Sequence, residues 1–180
     1  ADVNAMSEEG YNASMLAAGG GHIRCLQLLL EAKADIRAAN KLGSTALYLA
    51  AGEGRPECLQ LLLDAKADIR AAKKDGNTAL IVAAMQGKDA CLPLLLDAKA
   101  DIRAANRDGD TALLMAIYNG HTGCLRLLLD AKADLSTKNK SGEAPSIVAV
   151  LDGQPECLQL LLDAKADISA VDKDGATTLI

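Results

Sequence analysis

The sequence is poor in aromatic residues. Among its 180 residues there is no tryptophan, no phenylalanine and only three tyrosines, although half of the residues are hydrophobic. Most of that hydrophobic fraction is alanine and leucine. Small alanine side chains suit close packing between helices, so the composition favours a helical protein without an aromatic core.

An excess of basic residues is also absent, since the formal net charge is −5. This balance argues against a general nucleic-acid or anionic-membrane binder, either of which shows a basic excess. No apolar run approaches the roughly 18 residues of a membrane span, and no signal peptide is visible. We therefore predict no nucleic-acid partner and no direct membrane insertion.

Sequence patterns that carry chemistry are few. The glycine run at residues 19–21 has no strand before it and no Gly-Lys-Ser/Thr after it, so it does not indicate a phosphate-binding loop. Carboxylate pairs such as Asp130 and Asp134 recur throughout the chain, which is not expected of a catalytic pair. The histidines His22 and His121 occupy equivalent positions and are interpreted as structural. We expect no catalytic residue, no metal site and no cofactor.

What the sequence does contain is a regular repeat. A turn glycine recurs every 33 residues, and a fixed period of this length is typical of stacked repeat proteins. Five full units cover residues 7–39, 40–72, 73–105, 106–138 and 139–171, with the end of a preceding unit at 1–6 and the start of a following one at 172–180. Because neither end reads as a polar capping unit, we expect the chain to be part of a longer array. The recurring glycines are Gly10, Gly43, Gly76, Gly109, Gly142 and Gly175.

Each unit predicts two short helices. A polar turn is followed by a threonine such as Thr45, which can cap the first helix, and a glycine such as Gly54 ends that helix. The second helix carries an inward Cys-Leu and Leu-Leu stripe, as at Cys58 to Leu63, and Pro56 suits its first turn. The unit then closes with Ala-Lys-Ala-Asp.

The residues of the unit at 106–138 resemble the ankyrin repeat. The resemblance rests on Gly-Asp-Thr-Ala-Leu at 109–113, Ala116, Gly120-His121, the leucines at 127–129 and Ala133-Asp134. Only part of the family's Thr-Pro-Leu-His-x-Ala signature is present. The resemblance implies an all-α, ankyrin-type solenoid of stacked helix-turn-helix repeats with β-hairpin-like turns, and a role in protein binding.

Four departures from a regular array lead to specific expectations. The family commonly has glycine where this chain has Lys66 and its equivalents, and we expect these lysines to adopt the left-handed conformation. Pro93 lies inside the second helix of the third full unit, so we predict a distorted or late-starting helix there. We expect the glycines at 19–21 to shorten the first helix of the opening unit. Because Ser14 and Ser146 replace leucine, the first and fifth units should pack less tightly.

The five cysteines occupy the same position in successive units. Stacked helices lie about 8 to 10 Å apart, which is too far for disulfides along this column because bridged Cα atoms lie within about 7 Å. We interpret the cysteines as small buried core residues, and free thiols favour an intracellular reducing compartment. We expect the cytoplasm, with an organelle as the alternative. The column consists of Cys25, Cys58, Cys91, Cys124 and Cys157.

The turns and first helices differ between units, whereas the second helices are nearly constant. This variation, together with the concave surface that the resemblance implies, locates the predicted protein-binding site. Tyr48, Met85 and Tyr118 are the hypothesised centre, although Tyr48, like Ile81 and Leu114, could instead bridge adjacent repeats. The full set is Tyr11, Leu42, Tyr48, Met85, Gln86, Tyr118, Asn119, Leu151 and Asp152.

These observations predict a non-catalytic module that binds a partner protein through its hairpin turns and concave face. Two alternatives stay open at this point. The chain could be a scaffold or spacer subunit permanently assembled in a larger complex, or the targeting region of a longer enzyme.

Overall fold

The computed structural model describes residues 2–167. Within that range the chain forms ten α-helices, and its β-structure consists only of isolated bridges, which agrees with the predicted all-α class. Among residues 2–167 none of the helices has the length and the hydrophobicity of a membrane-spanning segment. The start of a sixth unit expected at 172–180 lies outside the described residues. The helices are α1 (Ala13–Gly20), α2 (Ile23–Glu31), α3 (Ala46–Gly52), α4 (Pro56–Asp64), α5 (Ala79–Met85), α6 (Cys91–Asp97), α7 (Ala112–Tyr118), α8 (Thr122–Asp130), α9 (Pro145–Leu151) and α10 (Pro155–Asp163).

The odd-numbered helices are the first helices of the five units and the even-numbered helices are the second ones. First helices pack on the first helices of neighbouring units, second helices pack on second helices, and the two helices of each unit contact one another. The buried residues therefore form one continuous core along the array. In the middle units the second helices contribute a cysteine and two leucines each, as Cys91, Leu92 and Leu95 do in α6.

Capping explains where the first helices begin. The Oγ1 atoms of Thr45, Thr78 and Thr111 accept hydrogen bonds from the backbone N–H groups three residues later, at 3.2, 3.3 and 3.4 Å. Asn12 caps α1 in the same way. Ala144 has no side chain that can cap α9, and there a proline at the first helical position replaces the cap.

The hairpin turns form a row along one edge of the array. Each turn after the first hydrogen-bonds through its backbone to the turn before it, for example from Lys74 N–H to the carbonyl of Leu42 at 3.0 Å and from Arg107 N–H to the carbonyl of Asp75 at 2.8 Å. The turn glycine is required here for two reasons. Gly43 has a φ of 87°, and a Cβ on it would lie 3.1 Å from the Cα of Lys73 in the next turn.

The predicted left-handed lysines are confirmed. Lys66 has a φ of 61°, and its four equivalents have φ values between 57° and 68°. Lys66 N–H donates to the carbonyl of Leu63 and Ala67 N–H to that of Leu62, at 3.0 and 2.9 Å. This is the Schellman arrangement, which satisfies the last carbonyls of α4, with a lysine in the position that glycine usually occupies.

The late start predicted at Pro93 is also confirmed. Helix α6 begins at Cys91, whereas α4 begins at Pro56 and α8 at Thr122, whose equivalent in this unit is Asp89. The shift puts Pro93 in the first turn of α6, where the backbone N–H groups have no helical acceptor. The missing N–H of proline is therefore tolerated.

The prediction that residues 19–21 shorten the first helix of the opening unit is wrong. Helix α1 has eight residues and α3 has seven, because Gly19 and Gly20 continue the helix. Only Gly21, with a φ of 73°, acts as the left-handed stop, and it is equivalent to Gly54 after α3. A glycine run costs helical stability but does not itself end a helix.

The second helices of the first and fifth units are less buried than those of the units between them, in agreement with the expectation of looser packing. Helix α2 has one buried residue and α10 has two, against three each in α4, α6 and α8. The two serines behave differently. The hydroxyl of Ser14 is buried without a hydrogen-bond partner, whereas that of Ser146 donates to the carbonyl of Asp167 at 2.9 Å.

Candidate protein-binding surface

The side of the array built from the hairpin turns and the outer surfaces of the first helices carries the predicted site, and we call it the first-helix face. Five of the predicted residues are exposed there, and Leu42 and Leu151 are each 58% exposed. Tyr11, Met85 and Tyr118 are half-buried. The other exposed members are Gln86, Asn119 and Asp152.

Tyr48 is buried, so its hypothesised place at the exposed centre of the site is wrong. Its side chain is 8% exposed and belongs to the same row as Ile81 and Leu114, both of which are 0% exposed. The ammonium of Lys73 lies 5.6 Å from the centre of the Tyr48 ring and covers it. Burial, and then the charge of Asp75, raise the pKa of Tyr48 to about 12. Tyr48 thus bridges adjacent repeats.

Tyr118 belongs to a polar network on the last two units. Its hydroxyl donates to Glu143 Oε2 at 2.9 Å and accepts from Asn139 Nδ2 at 2.8 Å. Asn139 Nδ2 also lies 3.2 Å from Asp110 Oδ1. The ring of Tyr118 is consequently held in place, with one side available to solvent.

The pKa values of Tyr118 and Asp110 in this network are both raised. Burial, followed by the hydrogen bond to Glu143 and the charges of Asp110, Glu143 and Asp152, strongly raises the pKa of Tyr118. Burial also raises the pKa of Asp110, although hydrogen bonds from Asn139 and Asn106 oppose the shift. The first-helix face is therefore acidic around Tyr118.

A groove of about 350 Å³ lies on the same face between α3 and α5. Gly52 lies on its floor, beside the apolar side chains of Leu49, Val82 and Met85. The equivalent of Gly52 in the third full unit is Met85, and in the fourth it is Tyr118. The unit that lines this groove thus has no side chain at a position where the next two units have large ones.

Besides the hydrogen bonds between turns, a recurring side-chain contact connects each unit to the one before it. The residue just before a second helix extends over the left-handed glycine of the preceding unit, as Arg55 does over Gly21 and Lys88 over Gly54. These cations lie at the negative C-terminal end of the preceding first helix. Arg55 Nε donates to the carbonyl of Gly19 at 3.1 Å.

His121 occupies the corresponding position on α5. Its Nε2 lies 3.1 Å from the carbonyl oxygen of Met85, and its ring covers Gly87. This inter-repeat contact agrees with the structural role expected of this histidine. His22 makes no equivalent contact, because no helix pair precedes α1 among the described residues; its ring lies beside Gly20 of its own unit.

Four of the five cysteines are buried as expected, but Cys25 is exposed. A cysteine of this column faces the preceding unit: Cys124 Sγ donates to Asp89 Oδ1 at 2.9 Å. Burial, and then this carboxylate, raise the pKa of Cys124. Within residues 2–167 no helix pair covers Cys25 in that way, and no cluster of potential metal ligands occurs.

Sequence reasoning missed three features of this face. They are the groove at Gly52, the contacts of Arg55 and Lys88 with the glycines of the preceding unit, and the network of Asn139 and Glu143. Alignment of the units contains a signal for the groove, because glycine stands at 19 and 52 where larger residues stand at 85, 118 and 151. It contains no signal for the network, which depends on which side chains meet between units.

Two models of known protein families match the chain. The model described as ankyrin repeats (3 copies) matches residues 1–73 and 66–139. The model described as ankyrin repeat matches residues 141–173. No curated protein matches the sequence significantly.

Proposed function

Because the chain belongs to the ankyrin-repeat family, whose repeats are in general protein–protein interaction modules, we propose that it binds a partner protein through its hairpin turns and first-helix face. Ankyrin-repeat domains are typically non-catalytic. In this proposal the array presents a surface, and the partner is held by residues that differ from one unit to the next.

The distribution of variable residues supports the proposal most directly. The second-helix segments at 56–68 and 155–167 are identical over their whole length. The position of Leu42, by contrast, is occupied by a different residue type in most units, including Glu9 and Ser141, and it is exposed at the tip of a turn. Most differences between units lie in the turns and first helices, although exposed second-helix positions such as Gln60 and its equivalent Arg126 also differ. Exposed residues that packing does not restrain are available for binding.

Affinity capture with matched variants tests the proposal. The first-helix variant carries Leu42→Asp, Asn119→Arg and Leu151→Asp, all at exposed positions. The control variant carries Gln60→Arg and Arg126→Asp, which are exposed on second helices and change the net charge by the same −1. Proteins retained from a cell extract by each immobilised chain are quantified by mass spectrometry.

We expect a set of proteins that the unsubstituted chain and the control variant retain and the first-helix variant does not. Retention of the same proteins by all three chains, or loss of retention in the control variant alone, contradicts the proposal. Circular dichroism of the variants confirms that a loss of binding is not a loss of folding.

A further inference from the structure

The groove at Gly52 provides space for a side chain from outside the molecule. In the third full unit the equivalent position carries Met85, which lines the groove. Val82 lies on the floor, close enough that a Cβ on Gly52 would be 3.1 Å from its Cγ2. Leu49, Val82 and Met85 thus form an apolar part of the lining against which an aliphatic side chain can pack.

The rim of the groove carries two lysines and one carboxylate, Lys73, Lys88 and Glu53. Lys73 is paired with Asp75, at 3.2 Å between Nζ and Oδ2. Lys88 also lines the groove, and its stem rests on Gly54, which holds it beside the opening. Lys88 is in none of the three ion pairs that the described residues form. A carboxylate at the rim would therefore meet a positioned ammonium that has no acidic partner among the described residues.

The other end of the same face has the opposite character. The position of Gly52 is filled there by Tyr118, whose hydroxyl donates to the carboxylate of Glu143, and the carboxylate of Asp110 belongs to the same network through Asn139. An acidic segment is repelled from that end by these carboxylates. Shape and charge consequently select the same location, between α3 and α5.

We propose that the Gly52 groove binds an extended segment of a partner protein in which an aliphatic side chain adjoins an acidic one. The aliphatic side chain occupies the space above Gly52, against Val82 and Met85, and the neighbouring carboxylate pairs with Lys88. This inference rests on the proposed function and specifies the chemistry of the partner at one place on the first-helix face.

A peptide selection tests the inference without knowledge of the natural partner. A random 12-residue library displayed on phage is selected against the immobilised chain, and enriched peptides are synthesised with a fluorescent label. Their dissociation constants are measured by anisotropy for the unsubstituted chain and for Gly52→Met, Lys88→Glu, Glu53→Gln and the control Arg126→Glu. Arg126 is exposed on α8, and its substitution changes the charge as Lys88→Glu does.

We expect the enriched peptides to carry Leu, Ile or Val beside Asp or Glu. Gly52→Met introduces the residue that the next unit has at this position, and its side chain should fill the groove. Binding should weaken about tenfold, since the aliphatic side chain of the peptide is no longer buried there. Lys88→Glu should weaken it about three- to fivefold, and more at low salt. Glu53→Gln removes a carboxylate from the rim and should strengthen it slightly, while Arg126→Glu should have no effect.

Gly52 is helical, so methionine raises the local helix propensity, and thermal unfolding verifies that the variant folds. If Gly52→Met does not fold, Lys88→Glu and Glu53→Gln still give opposite expected shifts. Enriched peptides without the motif, absence of any enriched peptide, or affinities unchanged by these variants overturn the inference. The enriched peptides are also measured with the first-helix variant. If the groove variants leave their affinities unchanged but the first-helix variant weakens them, the groove assignment fails and the proposed function stands. If the first-helix variant does not weaken them either, the proposed function fails as well.

Discussion

At the scale of single residues, the chemistry of one position depends on its neighbour in the next unit. Asn77 and Asp110 are equivalent, and each accepts a hydrogen bond from an asparagine amide in the following unit, at 3.3 Å from Asn106 and 3.2 Å from Asn139. Asn77 is neutral, but Asp110 is a carboxyl group that is only 8% exposed. The fourth full unit therefore has a carboxyl group, that of Asp110, at the position where the third unit has the amide of Asn77.

Asp110→Asn should increase the free energy of unfolding at neutral pH. Burial raises the pKa of Asp110 in the folded protein, so the folded state binds the proton more tightly than the unfolded state does. Stability from this group is complete below the unfolded pKa of about 3.9 and declines as pH rises through the folded pKa. Urea unfolding from pH 3 to pH 7 should show the variant and parent converging at low pH and separating above it.

Asp75→Asn is the control of opposite sign. Burial raises the pKa of Asp75, but bonds from Asn77 N–H and Lys73 outweigh burial and lower it overall. Its stabilising contribution is present above the unfolded pKa and is lost as pH falls through the folded one. The variant should be less stable than the parent at pH 7, and a gain in stability there would contradict this account.

The cysteines should separate into one reactive thiol and four protected ones. Cys25 is exposed, whereas the other four are buried and burial raises the pKa of each. Titration of the folded chain with an aromatic disulfide reagent should release about one equivalent rapidly. Cys25→Ser should abolish this fast phase, and a fast phase of two or more equivalents would contradict the burial of the column.

At the scale of elements, the second helices are followed by a lysine where glycine is usual, and this difference has a measurable cost in the free energy of unfolding. Lys66 has a φ of 61° in a position that favours glycine. A side chain in the left-handed conformation costs roughly 1–2 kcal/mol, part of which the greater freedom of glycine in the unfolded chain offsets. Lys66→Gly should therefore raise the free energy of unfolding by about 0.5–1 kcal/mol.

Lys66→Ala provides the matched control for that prediction. It removes the charge and the side-chain stem but keeps the Cβ that makes the conformation unfavourable. Chemical unfolding should show no gain for alanine. Equal stabilisation by both substitutions would mean that removal of the lysine side chain, rather than relief of the backbone, is responsible.

The helices also indicate how far sequence reasoning reaches. The delayed start of α6 was predictable because the penalty of Pro93 is local to its own turn. The full length of α1 was not, because Gly19 packs against the next unit, where a Cβ on it would lie 3.5 Å from the Cβ of Leu49, and such packing is a tertiary property. The burial of Tyr48 likewise depends on Lys73 in the following turn. Features that depend on the local backbone could thus be predicted from the repeated sequence, whereas contacts between units could not.

At the scale of the whole molecule, each unit is supported only by its neighbours. Leu95 and Leu161 are equivalent and both are 0% exposed, but Leu95 lies in the middle of the described array. Leu→Ala at such sites costs about 2–5 kcal/mol. Leu95→Ala should lower the stability of its own unit and of the units on both sides of it, because each of these loses a folded neighbour.

Leu161→Ala should act locally by the same argument. Hydrogen exchange followed by mass spectrometry should show faster exchange in α9 and α10 while α3 to α6 keep their protection. In Leu95→Ala, exchange should accelerate in α3 to α8 together. Uniform acceleration in both variants would instead indicate that the array unfolds as a single cooperative unit.

The identity of the segments at 56–68 and 155–167 has a consequence for how such an array can change over generations. Both segments begin with a proline in the first helical turn, and both contain a lysine with a φ of 61° just after the helix. A recombination event between them would delete three whole units and leave a junction whose local sequence and backbone geometry are already native. The number of units, and with it the length of the first-helix face, can therefore change through a single recombination event that creates no new helix.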